Sequence, residues 1–315
     1  MKKTGLLLLL LASVALGQQA DSAGPAGIIS NNGNVPMARY QTPTSADLYC
    51  AGFISKERVP DAKYVNGGLQ TPNTTKFTNG EMVYLSGTGY QTGQEFTIVR
   101  ELRDVNEYEF FAGQTRMISN SGHPYSEVGR VKVIDARSRS AVAQVDFSCD
   151  PINPGDVVVP FAEKQSIAFH PPVRLDRYAV PNGKLTGRIL MAKDFDGTIG
   201  TGAKIYMNFG SNQGAKVGDY FRAVRPYNLD LKDPVDSLSF KASTSEDTQK
   251  RLPSFEAKLL TRTNGPNIHV ADLPRRALGE IVILTVTPTT STGMVVFSLE
   301  DVHPGDVVEM DESTN

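Results

Sequence analysis

The sequence predicts an all-β protein made of two tandem, diverged modules, each a small β-barrel or sandwich of about six strands. Three observations carry this reading. Apolar residues alternate with polar ones in short runs, as at Val131 and Val133 or Ile281 and Ile283, which is the period of a strand with one buried face. Glycine and proline are abundant, 28 and 19 in 315 residues, and they punctuate those runs as turn residues do. The chain also repeats itself: residues 129–159 align without a gap on 279–309, with nine identities in 31 positions.

The repeat extends upstream in the same order. Residues 89–100 match 214–225 with five identities in twelve, 80–85 match 202–207, and Gly52-Phe53-Ile54 is set against Gly187-Arg188-Ile189. Strands are expected at 51–56, 82–86, 95–101, 129–136, 141–148 and 156–161 in the first copy. In the second they fall at 187–192, 204–208, 220–225, 279–286, 293–299 and 306–310. Val145 and Phe147 are read as facing one side, as are Val295 and Phe297, and Tyr84 and Tyr206 as core residues in matching strands. Gly155-Asp156, Gly218-Asp219 and Gly305-Asp306 each introduce a strand. They read as turns, glycine supplying the unusual backbone angle and aspartate accepting nearby amide hydrogens.

Around the modules the organisation is as follows. Residues 1–17 carry Lys2, Lys3, a leucine run over 6–11, and Ala15 and Gly17, the pattern of a cleaved export signal. A flexible leader rich in small and polar residues covers 18–45, module 1 covers 46–161, an extended linker 162–184, and module 2 185–310, with a tail over 311–315. The modules differ most between their third and fourth strands, 28 residues at 101–128 against 53 at 226–278. The longer insertion is expected to hold a short helix near 255–260, and such excursions are where function often sits.

Export bears on the cysteines. Cys50 and Cys149 are the only two, and in an oxidising compartment they are expected to pair within module 1. By the repeat, both correspond to leucines, Leu185 and Leu299. Charge is balanced, 32 basic against 34 acidic residues, so nothing favours nucleic acid as a partner, and no later run suits a membrane span.

The search for chemistry finds no catalytic constellation, no metal set and no cofactor fingerprint. His123, His170, His269 and His303 lack ligand spacing. Asp194-Phe195-Asp196-Gly197 lacks the further ligands of a calcium loop and reads as a turn. Glu127, Asp135 and Asp146 are available as acid–base groups, but the sequence singles out none of them. Arg100 and Arg225, at the ends of equivalent strands beside the variable loops, are the candidate binding residues. The competing reading for both is a salt bridge or an edge charge.

The run Gly202-Ala203-Lys204-Ile205-Tyr206-Met207 through Gly218-Asp219-Tyr220-Phe221-Arg222, with Leu278-Gly279-Glu280-Ile281-Val282 and Pro304-Gly305-Asp306, resembles the C-terminal domain of the flagellar assembly protein T. Together with Tyr49-Cys50-Ala51-Gly52-Phe53-Ile54 and Asp176 to Pro181, it is also similar to exported acidobacterial proteins labelled as containing a LysM peptidoglycan-binding domain. That resemblance implies peptidoglycan as a ligand. A LysM unit, however, leads from its Gly-Asp start into a helix, and none is expected after Asp306. The functional expectation is an exported, non-enzymatic cell-envelope binding or structural protein, periplasmic or extracellular. The alternatives are a protein-interaction part of an envelope assembly and, less favoured, a glycan hydrolase.

Overall fold

A computed structural model of the chain describes residues 28–29, 38–70, 73–103, 109–168, 175–178, 180–226, 254–255, 267–268 and 274–312. The expected signal peptide, most of the leader and most of the 226–278 insertion lie outside the described residues.

Two short strands, β1 (Ile28–Ile29) and β2 (Ala38–Arg39), pair antiparallel ahead of helix α1 (Ser45–Tyr49) and strand β3 (Phe53–Ser55). Module 1 follows with β4 (Tyr64–Gly68), β5 (Met82–Ser86), β6 (Glu95–Glu101), helix α2 (Gln114–Ser121), β7 (His123–Ala136), β8 (Ser140–Ser148) and β9 (Val157–Pro160). Module 2 contains β10 (Thr186–Ala192), β11 (Lys204–Met207), β12 (Tyr220–Arg225), the parallel pair β13 (Ser254–Phe255) and β14 (Asn267–Ile268), β15 (Arg276–Val286), β16 (Ser291–Ser298) and β17 (Val307–Glu312).

Each module closes into a six-stranded antiparallel barrel. The first runs β7-β6-β9-β4-β5-β8 and closes where β8 pairs with β7. The second runs β15-β12-β17-β10-β11-β16 and closes where β16 pairs with β15, so the two orders are the same. Closure is the economical answer for short strands with one apolar face, since it buries that face and leaves no ladder edge. The interiors match position for position. Val65, Val83, Leu85, Phe96, Val131, Val145 and Val158 fill barrel 1, where Ile189, Ile205, Met207, Phe221, Ile281, Val295 and Val308 fill barrel 2.

The Gly-Asp turns are built as the sequence suggested. Gly155, Gly218 and Gly305 have φ of 91°, 90° and 99°. Asp156, Asp219 and Asp306 each accept from the backbone amide three residues back, at 2.7–2.8 Å. The disulfide Cys50–Cys149 is formed, with Cα atoms 5.7 Å apart.

Several expectations are corrected. The first barrel strand of module 1 is β4, not the 51–56 run. Tyr64 pairs with Val157 as Arg188 pairs with Val307, and both strands carry a bulge at the next step. The 51–56 run supplies β3 instead, which lies outside the ring and pairs with β7 alone. Gly52 is therefore not the counterpart of Gly187, and Cys50 is not that of Leu185. Cys149 and Leu299 do correspond, since their amides bond the carbonyls of Val128 and Leu278 at 2.9 and 2.6 Å. Phe147 does not share a face with Val145. A bulge at Asp146 turns both Asp146 and Phe147 outward. Tyr84 also points outward, 36% exposed, rather than into the core. The leader is ordered at its end, where Tyr40 is buried against Phe297. The helix expected near 255–260 begins on a strand residue, Phe255, and otherwise lies outside the described residues. Helices α1 and α2 were not foreseen.

The two barrels pack on one another. Barrel 1 contributes β3, α1 and α2 to the junction. The hydroxyls of Thr290 and Thr292 donate to the carbonyls of Ile54 and Gly52, the Tyr206 hydroxyl to Tyr125, and the Gln114 amide to Leu190. Lys204 meets Asp47 at 2.6 Å and Lys193 meets Asp150 at 3.1 Å. Tyr206 is thus fully buried at the position where Tyr84 stands exposed, and its hydroxyl pKa is driven up, first by burial and then by the nearby charge of Glu127.

Candidate functional site

The two predicted arginines do one structural job. Arg100 at the end of β6 binds Asp156 through Nε and Nη2, both at 2.7 Å, and its Nη2 also donates to the carbonyl of Pro151 at 2.7 Å. Arg225 at the end of β12 repeats this with Asp306 at 2.8 Å twice and the carbonyl of Asp301 at 2.9 Å. Each fork therefore clamps the aspartate of a Gly-Asp turn to the neighbouring strand, a bidentate geometry that favours charged partners. The Arg100 pKa is raised, chiefly by its bond to Asp156.

The three carboxylates left open by the sequence are separated by the fold. Asp135 is exposed and paired with Arg137. Glu127 is buried, accepting from Lys164 at 2.6 Å and from the Gly52 amide at 3.0 Å. Asp146 is exposed and lines a pocket of about 290 Å³ on the outer wall of barrel 1.

That pocket is the candidate site, and its construction is local. In β6, β7 and β8, Thr97, Arg130 and Phe147 stand opposite one another in register, forming a row on the outer face. The bulge adds Asp146 beside Phe147. Gly129 is part of the floor, where a Cβ would lie 2.7 Å from the carbonyl oxygen of Phe147 and 3.1 Å from the core side chain of Ile152. Helix α1 is the opposite wall, through Ser45, Ala46 and Tyr49, and Phe161 closes one end.

A five-residue helix does not hold itself in place. Here Thr44 and Asp47 form a capping box at 3.2 and 2.8 Å, and the disulfide begins at the next residue after the helix, Cys50. The Lys164 ammonium also donates to the carbonyl of Leu48 at 2.8 Å. Burial would raise the Asp47 pKa, but the bonds from Lys204 and Thr44 outweigh it and hold the carboxyl below its usual range.

Inside the pocket the Arg130 guanidinium lies 5.0 Å from the Phe161 ring centre and 5.9 Å from that of Tyr49, and the two rings are 5.6 Å apart. Its Nη1 stands 3.9 Å from Glu95, a carboxylate shared with Lys132 at 4.0 Å. The site therefore offers two aromatic faces, a stacked cation, one exposed carboxylate and the Ser45 and Thr97 hydroxyls. Sequence reasoning named Asp146 and passed over Tyr49, Arg130 and Phe161. The signal that could have found them is an aromatic residue directly before Cys50, on a segment tied to the end of β8.

Compared with protein-family models and with curated proteins, the chain matches none.

Proposed function

We propose that this is an exported, non-enzymatic binding protein of the bacterial cell envelope, holding a glycan, with peptidoglycan as the first candidate. The observation that carries the reading is the aromatic-walled pocket of barrel 1. Ring stacking with a few convergent polar groups is the usual chemistry of a site that holds a small polar ligand. Asp146 is the only carboxylate among its lining residues, whereas canonical glycoside hydrolysis uses two carboxylates flanking the scissile bond, so the arrangement favours binding over hydrolysis. The disulfide is consistent with an oxidising environment, as the basic and leucine-rich first residues suggest. No helix among the described residues is long and apolar enough to cross a membrane.

The test is co-sedimentation of the oxidised chain from Gln18 to Asn315 with purified sacculi over a salt series. Salt-resistant pelleting is expected, and a protein that stays in the supernatant at every salt concentration would refute the wall reading.

A second reading, a protein-assembly component, draws on the outer wall of barrel 1, where Tyr84 and Ile134 are 36% and 44% exposed. The equivalent wall of barrel 2 is covered by the 40–54 segment. Concentration-dependent self-association in sedimentation velocity that is lost in Tyr84→Ser would favour it.

A further inference from the structure

The second barrel shows what shape the pocket of the first accepts. In barrel 2 the row equivalent to Thr97, Arg130 and Phe147 is Arg222, Glu280 and Phe297, in the same register. There the place is filled from within the chain. Tyr40 lies with its ring 6.3 Å from that of Phe297 and is 2% exposed, and the backbone N–H of Gln41 donates to the carbonyl of Val296, the counterpart of Asp146. One six-membered ring bearing a hydroxyl thus fits this corner of the barrel wall. In barrel 1 the corner is open.

The polar groups differ in a way that defines the ligand. Barrel 2 sets Arg222 across from Glu280, so its row carries both charges. Barrel 1 sets Thr97 across from Arg130, so its row carries a cation alone. The ion-pair partner of Arg130 is the carboxylate of Glu95 at 3.9 Å, shared with Lys132, and Asp146 stands outside the row on the pocket's lining. A guanidinium stacked on two rings, whose one ion pair is a 3.9 Å contact to a carboxylate shared with Lys132, keeps donors for an anionic oxygen. Asp146 and the hydroxyls of Ser45 and Thr97 would go unused by a plain aromatic ring, but they suit a ring with several hydroxyl groups.

We infer that the Arg130 pocket takes a hydroxylated six-membered ring bearing a carboxylate, that is, one acidic sugar residue of a glycan. The carboxylate meets Arg130, the ring lies against Tyr49 and Phe161, and Asp146 accepts from ring hydroxyls. This rests on the glycan-binding reading above and specifies its ligand.

The test uses the whole oxidised chain and two pairs of probes, each differing mainly in the carboxylate: D-glucuronate against D-glucose, and N-acetylmuramate against N-acetylglucosamine. By calorimetry the acidic member of each pair is expected to bind roughly tenfold more tightly, the scale of one charge-assisted bond. Arg130→Gln is expected to bring each pair within about twofold, while Arg130→Lys keeps part of the preference. In the unaltered chain, amide shifts on titration with glucuronate should be confined to 45–49, 97, 129–130, 146–147 and 161, a readout that needs no variant to fold.

Equal affinity within both pairs, an acidic preference that survives Arg130→Gln, shifts centred elsewhere, or no saturation by any probe would each overturn the assignment. The two readings fail separately. Sacculi pelleted without an acidic preference refute the assignment and leave wall binding standing. Glucuronate held through Arg130 without pelleting refutes wall binding and leaves the assignment standing.

Discussion

Arg225→Met is expected to cost far more stability than Arg100→Met, although both arginines grip a turn aspartate through two bonds and a nearby carbonyl through a third. The reason is depth. The Arg225 and Asp306 side chains are 5% and 1% exposed, while those of Arg100 and Asp156 are 32% and 5% exposed. Removing the guanidinium leaves each aspartate with its own turn amide, from His303 or Asn153, but without a counter-charge. For a fully buried carboxylate that loss is roughly 3–5 kcal/mol. For the pair open to water on the arginine side, screening reduces it to about 1–2 kcal/mol. Urea unfolding followed by far-ultraviolet circular dichroism measures both, tyrosine fluorescence serving as second probe because the chain has no tryptophan. Adding Asp306→Asn to Arg225→Met should recover part of the loss, because the amide still accepts from His303 and no stranded charge remains. If Arg100→Met costs as much as Arg225→Met, or the latter costs under about 1 kcal/mol, the burial argument is wrong.

Replacing both cysteines by serine is expected to lower stability by roughly 2–5 kcal/mol in thermal melts, since the bridge closes a separation of 99 residues. The same change should weaken glucuronate binding, because α1 then loses the tie that holds the pocket wall. The lowered Asp47 pKa stabilises the fold above the unfolded carboxylate range, near pH 4, and this contribution is lost as pH falls through the folded value; Asp47→Asn should therefore flatten the acid limb of a stability–pH curve measured in urea. Burial pushes Tyr90 up to about 12 and drives Tyr40 and Tyr206 upward too, so these neutral phenols stabilise the fold below about pH 10, and the part due to Tyr90 is lost as pH rises toward 12. Ultraviolet titration of the folded chain should accordingly leave at least these three of the 11 tyrosines unionised at pH 10.5, and early ionisation of all 11 would refute that burial. Gly52→Ala places a Cβ 2.4 Å from the Tyr206 hydroxyl and 2.5 Å from the Tyr125 carbonyl oxygen at a φ of 74°; it should cost more than about 2 kcal/mol and loosen the barrel junction, read as faster amide exchange at Tyr206.

What was legible in the sequence was whatever the repeat recorded twice. The gapless block over 129–159 and 279–309 carries three strands and a Gly-Asp turn, and all appear in matching ring positions. The first strand of each module was read wrongly in copy one because Gly52-Phe53-Ile54 imitates Gly187-Arg188-Ile189, whereas the true counterpart, Tyr64–Gly68, contains Asn66, Gly67 and Gly68 and looks like a turn. Gly68 has a use: a Cβ there would lie 2.2 Å from the ring of Phe77, which is buried in the core of barrel 1. The pocket was hidden for a different reason. Its floor depends on a bulge at Asp146, and a one-residue slip in a strand is invisible to period-two reading. Its wall depends on a disulfide between segments far apart in the chain. The clamp role of Arg100 and Arg225 was open beforehand only as one of two readings, since the partner aspartates lie 56 and 81 residues away.

The duplication explains why one barrel holds the other and only one is open. Two equal barrels that each wet their outer face have no reason to dock. Barrel 2 departs from that pattern: β12 and β16 are buried on nearly every residue, inward and outward, while β5 and β8 of barrel 1 alternate. Its outer apolar residues, among them Val282, Met294, Val296 and Phe297, are covered by Tyr40, Leu48 and Ala51 from the segment that leads into barrel 1. That cover consumes, in barrel 2, the corner that remains a pocket in barrel 1. Barrel 2 is then the anchor, and because α1 is fixed to it through Asp47 and Lys204 as well as to barrel 1 through the disulfide, the pocket wall is braced from both sides. A ligand bound there meets a wall that was ordered on folding, so little conformational entropy remains to oppose binding.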